Sequence, residues 1–258
     1  LPGALTQAQI GLNPRLNVTP GDYSNMSSNY ANLGGNLNIR DAEFALNVGY
    51  RTKSAPAAFN VASVFGGNIT HTSVDVWSAT PRAKIPFAIG GANNTLVTGV
   101  DWDQWNYNST ITSTLAPAAG PFANPVSMQR NTAWYFQNTS TFSASTLLSV
   151  GARVQSTNYG VTDQIGGATA YRNANPRAFE IALRHKVGSA WEVYGKFGNS
   201  FRIPNVNDIY NLFAASVTIL EPQTSHDREI GTTYDMGRAN YRLALYEMDI
   251  NNEIHFNP

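Results

Sequence analysis

Residues 194–210 read Tyr194-Gly-Lys-Phe-Gly-Asn-Ser-Phe-Arg-Ile-Pro-Asn-Val-Asn-Asp-Ile-Tyr210. A gap separates them from Leu220-Glu-Pro-Gln-Thr-Ser225, which is followed by Glu229-Ile-Gly231. The first stretch alternates like a strand as far as Arg202 and breaks at Pro204. Proline has no N–H to donate to a ladder and holds the preceding Ile203 extended, so strand pairing ends there. Pro222 then leads into a second strand. The reading is therefore strand, long connection over about 203–222, strand, and the fold depends on whether the rest of the chain repeats that scheme.

The repetition runs through the chain. Ala31, Leu33, Gly35, Leu37 and Ile39 alternate with Asn32, Asn36, Asn38 and Arg40. After a tight turn, Phe44, Leu46, Val48 and Tyr50 alternate with Glu43, Ala45, Asn47, Gly49 and Arg51. Leu148, Val150, Ala152 and Val154 do the same against Ser149, Gly151, Arg153 and Gln155, as do Phe179, Ile181 and Leu183 against Glu180, Ala182 and Arg184. The longest runs match the ~9–11 residues with which a tilted strand crosses a bilayer. Short connections near 40–42, 88–94, 142–146, 187–190 and 235–238 alternate with long ones near 52–70, 108–129, 157–176 and 203–222. Outer-membrane barrels sort their loops in this way, with short turns on the periplasmic side and long loops outside.

Ten spanning strands follow, near 29–40, 42–52, 71–87, 95–108, 130–142, 146–157, 177–187, 191–202, 223–234 and 239–256. Ala58 to Phe65 would break the parity if it crossed, so it is expected as a hairpin arm above the membrane, and residues 1–28 as the end of an extracellular loop. Phe87, Phe142, Trp191, Tyr234 and Tyr241 fall beside the short turns, and Trp102, Trp105, Tyr107 and Trp134 toward the long loops, as in interfacial girdles. The inward charges expected from parity are Glu43, Arg51, Asp101, Arg153, Glu180, Arg184, Glu192, Lys196 and Glu229. Their mixed signs suit cross-strand pairing in a wet lumen.

Composition agrees. The 258 residues hold 17 basic and 17 acidic side chains and no cysteine, and only 13% are charged. Zero net charge carries no electrostatic footprint for nucleic acid, and the lack of cysteine excludes disulfides and thiolate metal sites. No apolar run approaches the ~20 residues of a spanning helix. His71, His185, His226 and His255 have no metal-ligand spacing, no nucleophile or phosphate-loop motif occurs, and no cofactor is implied, so no catalytic residue is assigned. His71 is expected in an extracellular loop near Asp75, and Asp101 and Asp103 are expected in the polar lining of the lumen.

The opening segment resembles a signature of the TonB-dependent outer-membrane receptors. Tyr194, Phe201, Arg202, Pro204, Val206, Ile209 and Tyr210 occupy a pattern close to y-x-s-x-s-F-R-x-P-x-l-x-e-l-y. Leu220, Pro222, Ser225, Glu229, Ile230 and Gly231 occupy L-x-P-E-x-s-x-x-x-E-l-G, with Gln223 where that family usually has Glu. Val100-Asp-Trp102, Ser149-Val-Gly-Ala-Arg153 and Tyr246-Glu-Met-Asp-Ile-Asn-Asn-Glu-Ile254 resemble further strands of the family, in the right order.

The resemblance implies an all-β chain, an antiparallel transmembrane β-barrel segment of about ten strands from a 22-stranded barrel. Residues 1–258 are then expected to be part of the barrel domain, without plug or C-terminal strands. The implied setting is the bacterial outer membrane and its lipid. The implied activity is uptake of a scarce ligand, a ferric siderophore or similar chelate, driven by the TonB complex through the plug. Candidate ligand contacts are the loop aromatics Trp105, Tyr107, Tyr159, Tyr171 and Tyr210. Arg202 is expected to face the lumen and to pair with an inward carboxylate such as Glu229. A passive porin and a soluble all-β binding or adhesion protein remain as alternatives. The alternation alone does not separate them.

Overall fold

A computed structural model of the chain describes residues 5–59, 66–211 and 216–255. A short helix, α1 (Gln7–Leu12), precedes β1 (Tyr23–Ser24), β2 (Ser27–Ile39), β3 (Ala42–Phe59), β4 (Asn68–Ile89) and β5 (Ala92–Ser113). Next come β6 (Pro121–Ala123), β7 (Pro125–Thr141), β8 (Thr146–Asp163), β9 (Thr169–Ala174), β10 (Arg177–Lys186) and β11 (Trp191–Arg202). A single helical turn, α2 (Val206–Ile209), leads to β12 (Tyr210–Asn211), β13 (Ser216–Val217), β14 (Gln223–Asp235) and β15 (Asn240–Asn251). Ten long strands, β2, β3, β4, β5, β7, β8, β10, β11, β14 and β15, each pair antiparallel with the next, and with β1, β6 and β9 they make one 13-stranded sheet. These are the ten strands that the alternation predicts.

The two faces of the sheet separate by parity. The outer face carries large apolar side chains in the open, among them Leu33, Leu46, Trp77, Trp134, Ile181 and Leu245. Isolated exposed apolar residues are ordinary, but a band continuous over ten strands is the surface that a bilayer covers. With the Arg228–Glu247 pair on the outer face as an exception, the inner face carries most of the charges and amides. Asp101 and Arg153 meet there at 2.5 Å, Lys196 and Glu229 at 3.0 Å, and Arg184 and Glu192 at 3.6 Å. Gly90 and Gly91, both at positive φ (59° and 77°), close the tight turn between β4 and β5, where any side chain would be strained.

The strands run further than the alternation indicates. The expected loops at 52–70, 108–129 and 157–176 are largely protruding hairpins. β3 pairs with β4 as far as Phe59 and Asn68, β5 continues to Ser113, and β8 continues to Asp163. Above the membrane both faces meet water, so the apolar-polar period disappears while Thr, Val and Ile keep the backbone extended. Of the expected arm Ala58–Phe65, Ala58 and Phe59 end β3, and residues 60–65 lie outside the described residues. His71 stands within β4, opposite Pro56, rather than in a loop.

Parity also corrects the outer girdle. Trp105 and Tyr107 share the face of Asp101 and Asp103, so they point inward and do not belong to it. Tyr50 and Trp77, with ring centroids 4.5 Å apart, take that place on the outer face with Trp102 and Trp134.

Candidate functional site

The segment after Pro204 folds back over the inner face of β8. Ile209 on α2 is buried against Tyr159, Val161 and Ala174, with Ile203, Val206, Tyr210 and Leu220 packed around them. Burial of these apolar side chains drives the fold-back, since the alternative is to leave them in the water of the lumen. Pro204 is itself fully buried. Polar contacts then set the geometry. The Tyr159 hydroxyl donates to the Leu220 carbonyl at 2.8 Å, and Arg172 pairs with Glu221.

Asp163 is the polar anchor of this layer. Its buried carboxylate accepts from the Asn124 N–H at 2.9 Å, the Ile165 N–H at 3.0 Å and the Tyr210 hydroxyl at 3.0 Å. Burial pushes the Asp163 carboxyl up, but these donors and the Gly166 N–H together hold it below the usual carboxylate range. Burial and the neighbouring Asp163 carboxylate push the Tyr210 hydroxyl up to about 12. Burial likewise raises Tyr159, with Glu221 adding to the shift and Arg172 opposing it.

Arg202 departs from expectation. Its guanidinium grips both carboxylate oxygens of Asp208, at 3.1 and 2.9 Å, and not Glu229. Glu229 sits further down β14, where the Tyr194 hydroxyl donates to it at 2.6 Å and Lys196 holds it at 3.0 Å. The local carboxylate wins because α2 brings Asp208 back over the end of β11. Asp208 also accepts from the Asn205 N–H at 2.9 Å, and the Asn205 side chain accepts from the Asn207 N–H at 2.9 Å, a reciprocal cap. The two family-like segments and the C-terminal one meet here. Arg202 donates to the Ile254 carbonyl at 3.1 Å, and Gln223, its ladder partner, accepts from the Ile254 N–H at 2.9 Å.

Between this folded-back turn and the inner faces of β3, β4, β5 and β7 lies a cavity of about 320 Å³. Lys53, Trp105, Tyr107, Gln129, Asn205 and Asn207 are among its lining residues. That volume is at the small end of ligand pockets, and the wall combines aromatic faces with amide and ammonium groups. The Trp105 indole N–H donates to Asp103 at 2.6 Å, which fixes its ring, and the Arg51 guanidinium stands 5.0 Å over that ring. Among the described residues no group of three or more His, Asp or Glu is arranged to hold a metal.

The five aromatic candidates take three kinds of position. Trp105 and Tyr107 line the cavity. Tyr159 and Tyr210 are held in the packed layer behind it, with both hydroxyls engaged. Tyr171 on β9 lies 72% exposed on the outer face beside Gly160. Lys53, Gln129, Asn205 and Asn207 escape the sequence reading because they fall in stretches read as loops. Continuing the parity of Arg51 by one step would have placed Lys53.

A profile of the family described as TonB dependent receptor-like, beta-barrel, matches residues 3–258. The chain belongs to that family. Comparison with curated proteins finds no match. Among solved structures, the unliganded ferric citrate transporter FecA aligns over 100% of this chain and 39% of its own, at 18% identity and a TM-score of 0.83. The siderophore receptor PiuA from Acinetobacter baumannii aligns over 88% of this chain and 40% of its own, at 12% identity and a TM-score of 0.71. The ferric yersiniabactin uptake receptor FyuA from Yersinia pestis gives 91% and 37%, at 15% identity and 0.68. The TonB-dependent receptor-like chain thus shares its fold with these receptors and spans about two-fifths of their length.

Proposed function

We propose that this chain forms part of the wall of a bacterial outer-membrane receptor that captures a scarce chelate, a ferric siderophore in the first instance, and imports it with TonB-coupled energy. Residues 1–258 contribute barrel strands in this reading. The plug that the TonB complex pulls, and the remaining strands, belong to the rest of the receptor. The observation that carries the reading is the cavity walled by Trp105, Tyr107 and Lys53 and roofed by Asn205–Asn207. The roof belongs to the family-like segment, so ligand capture and the loop that follows Pro204 share one set of contacts. Aromatic faces bind a flat or hydrocarbon-rich chelate, and the amides satisfy its oxygens.

The continuous apolar outer band supports an outer-membrane setting over a soluble β-protein. A porin has no need of a roofed aromatic pocket. The direct test is iron-limited growth of a strain whose supply depends on the full-length receptor, with ⁵⁵Fe-chelate uptake measured in parallel. Uptake is expected to require the receptor and the membrane potential. Uptake that persists after the potential is collapsed would identify a passive channel and sink the proposal.

A further inference from the structure

The inner faces of the strands differ in how their charges are matched. On β5, β8, β9, β10, β11 and β14, Arg153, Arg172, Arg184, Lys196 and Arg202 each meet a carboxylate. On β3 and β4 the cations stand without one. Arg51 and Lys53 lie on the inner face of β3, and Arg82 and Lys84 lie on the inner face of β4, opposite Ala45 and Glu43. Among the described residues none of the four has a carboxylate within 4.0 Å. The facing acids are Glu43, opposite Lys84, and Asp101 and Asp103 on β5. Asp101 is bound by Arg153 at 2.5 Å, and Asp103 accepts from Trp105 at 2.6 Å and Asn131 at 2.8 Å. Neutral donors leave the charge on Asp103 in place, so Glu43 and Asp103 offset part of the charge of Arg51, Lys53, Arg82 and Lys84, and the strip stays net positive in a chain of zero net charge.

We infer that this strip selects a negatively charged chelate, with Lys53 and Arg51 receiving its anionic oxygens beside Trp105, and Arg82 and Lys84 continuing the same potential down the wall. The inference rests on the cavity being the ligand site. Like charges two residues apart on one face repel each other, and an arriving anion relieves that repulsion without breaking an existing ion pair. Low-dielectric walls focus the field into the lumen and raise the local concentration of anions. A neutral chelate gains nothing from this arrangement, and a cationic one is repelled. Arg51 stacks over the Trp105 indole, which holds its charge at the aromatic wall of the cavity.

The test uses the full-length receptor in detergent, with quenching of tryptophan fluorescence by three probes: ferric citrate (anionic), ferrichrome (neutral) and ferrioxamine B (cationic). The anionic probe is expected to bind about tenfold tighter than the neutral one, and the preference to shrink with added salt. The double variant R51Q/K53Q is expected to abolish the preference, bringing the affinity for the anionic probe down to that for the neutral one. Neutral or cationic binding as tight as anionic overturns the inference, and so does a preference that survives R51Q/K53Q. W105A separates the two readings. If it leaves the binding of every probe unchanged, the cavity is not the site and both fall; if it weakens binding while R51Q/K53Q does not, only the charge selection falls. Failure of all three probes to bind overturns the chelate reading itself.

Discussion

Arg202 and Asp208 stand six residues apart and clasp each other through two hydrogen bonds, of 3.1 and 2.9 Å. The clasp closes the chain around the buried Pro204 and lays α2 over the cavity that Trp105 and Tyr107 line. Asp208→Asn keeps the size of the side chain and removes its charge. The clasp then weakens by about 1–2 kcal/mol, as charge-assisted bonds become neutral ones. Hydrogen exchange over residues 203–211 is expected to rise by roughly tenfold with thermal unfolding of the barrel unchanged. An exchange rate equal to wild type would show that α2 holds its place without the ion pair.

The Tyr210–Asp163 contact carries a pH dependence with a defined sign. Asp163 has a depressed carboxyl in the folded chain, so its contribution is full above the ordinary value near ~3.9 and is lost as pH falls through the folded value. Tyr210 is raised from 10.0 to about 12, so its contribution is full below pH 10 and is lost as pH rises toward 12. The folded-back layer is therefore expected to stay closed from about pH 4 to about pH 10. Hydrogen exchange against pH measures this, and Tyr210→Phe should remove the Tyr210 share of the alkaline step, leave that of Tyr159, and move the acid step upward because Asp163 loses one of its donors.

Ile209 is 2% exposed between Tyr159 and Val161. Ile209→Ala leaves a cavity and costs about 2–4 kcal/mol at that contact. Because the layer is separate from the strand ladder, the loss is expected to appear as faster proteolytic nicking between residues 203 and 222. Heat-modifiability of the barrel on gels should not change. A lowered barrel transition would show that the layer and the wall unfold together.

Gly231, part of the family-like segment, has a packing reason. The Tyr194 ring lies across it, and a Cβ there would come within 2.5–2.6 Å of two ring carbons and the hydroxyl oxygen. Gly231→Ala must displace the ring, and with it the Tyr194 bond to Glu229 and the 2.9 Å bond from Arg242 to the Tyr194 hydroxyl. A cost of about 1–3 kcal/mol is expected in unfolding from phospholipid vesicles. The double variant Gly231→Ala with Tyr194→Ala should recover part of it.

On the outer face, Val48 lies where a bilayer would cover the sheet. Val48→Arg is expected to cost about 2–4 kcal/mol near the midplane, read by the same unfolding experiment. At Asn47, on the inner face one residue away, the same replacement should cost far less. Equal costs would argue against the lipid-facing assignment.

Much of this molecule follows from local pattern. Alternation at Leu33–Ile39 and Phe44–Tyr50 assigns faces, and loop-length parity orders the ten strands, because a bilayer imposes a period of two on every segment that crosses it. Pro204 marks a strand end because it lacks an N–H. These are nearest-neighbour constraints, so a one-dimensional reading captures them. The protruding ends of β3, β4, β5 and β8 escape that reading, since water on both faces removes the period. Arg202 shows the other limit. Its face follows from parity, but the choice of Asp208 over Glu229 depends on how α2 turns, and that turn depends on Ile209 finding Val161 some fifty residues earlier. The same holds for the cavity. The sequence by itself determined that Trp105 and Tyr107 sit on an extended strand of an outer-membrane-type sheet. Only the tertiary structure decided that they face Lys53 and Asn207 across a common space, because burial of apolar side chains from distant segments sets that distance, and no spacing along the chain encodes it.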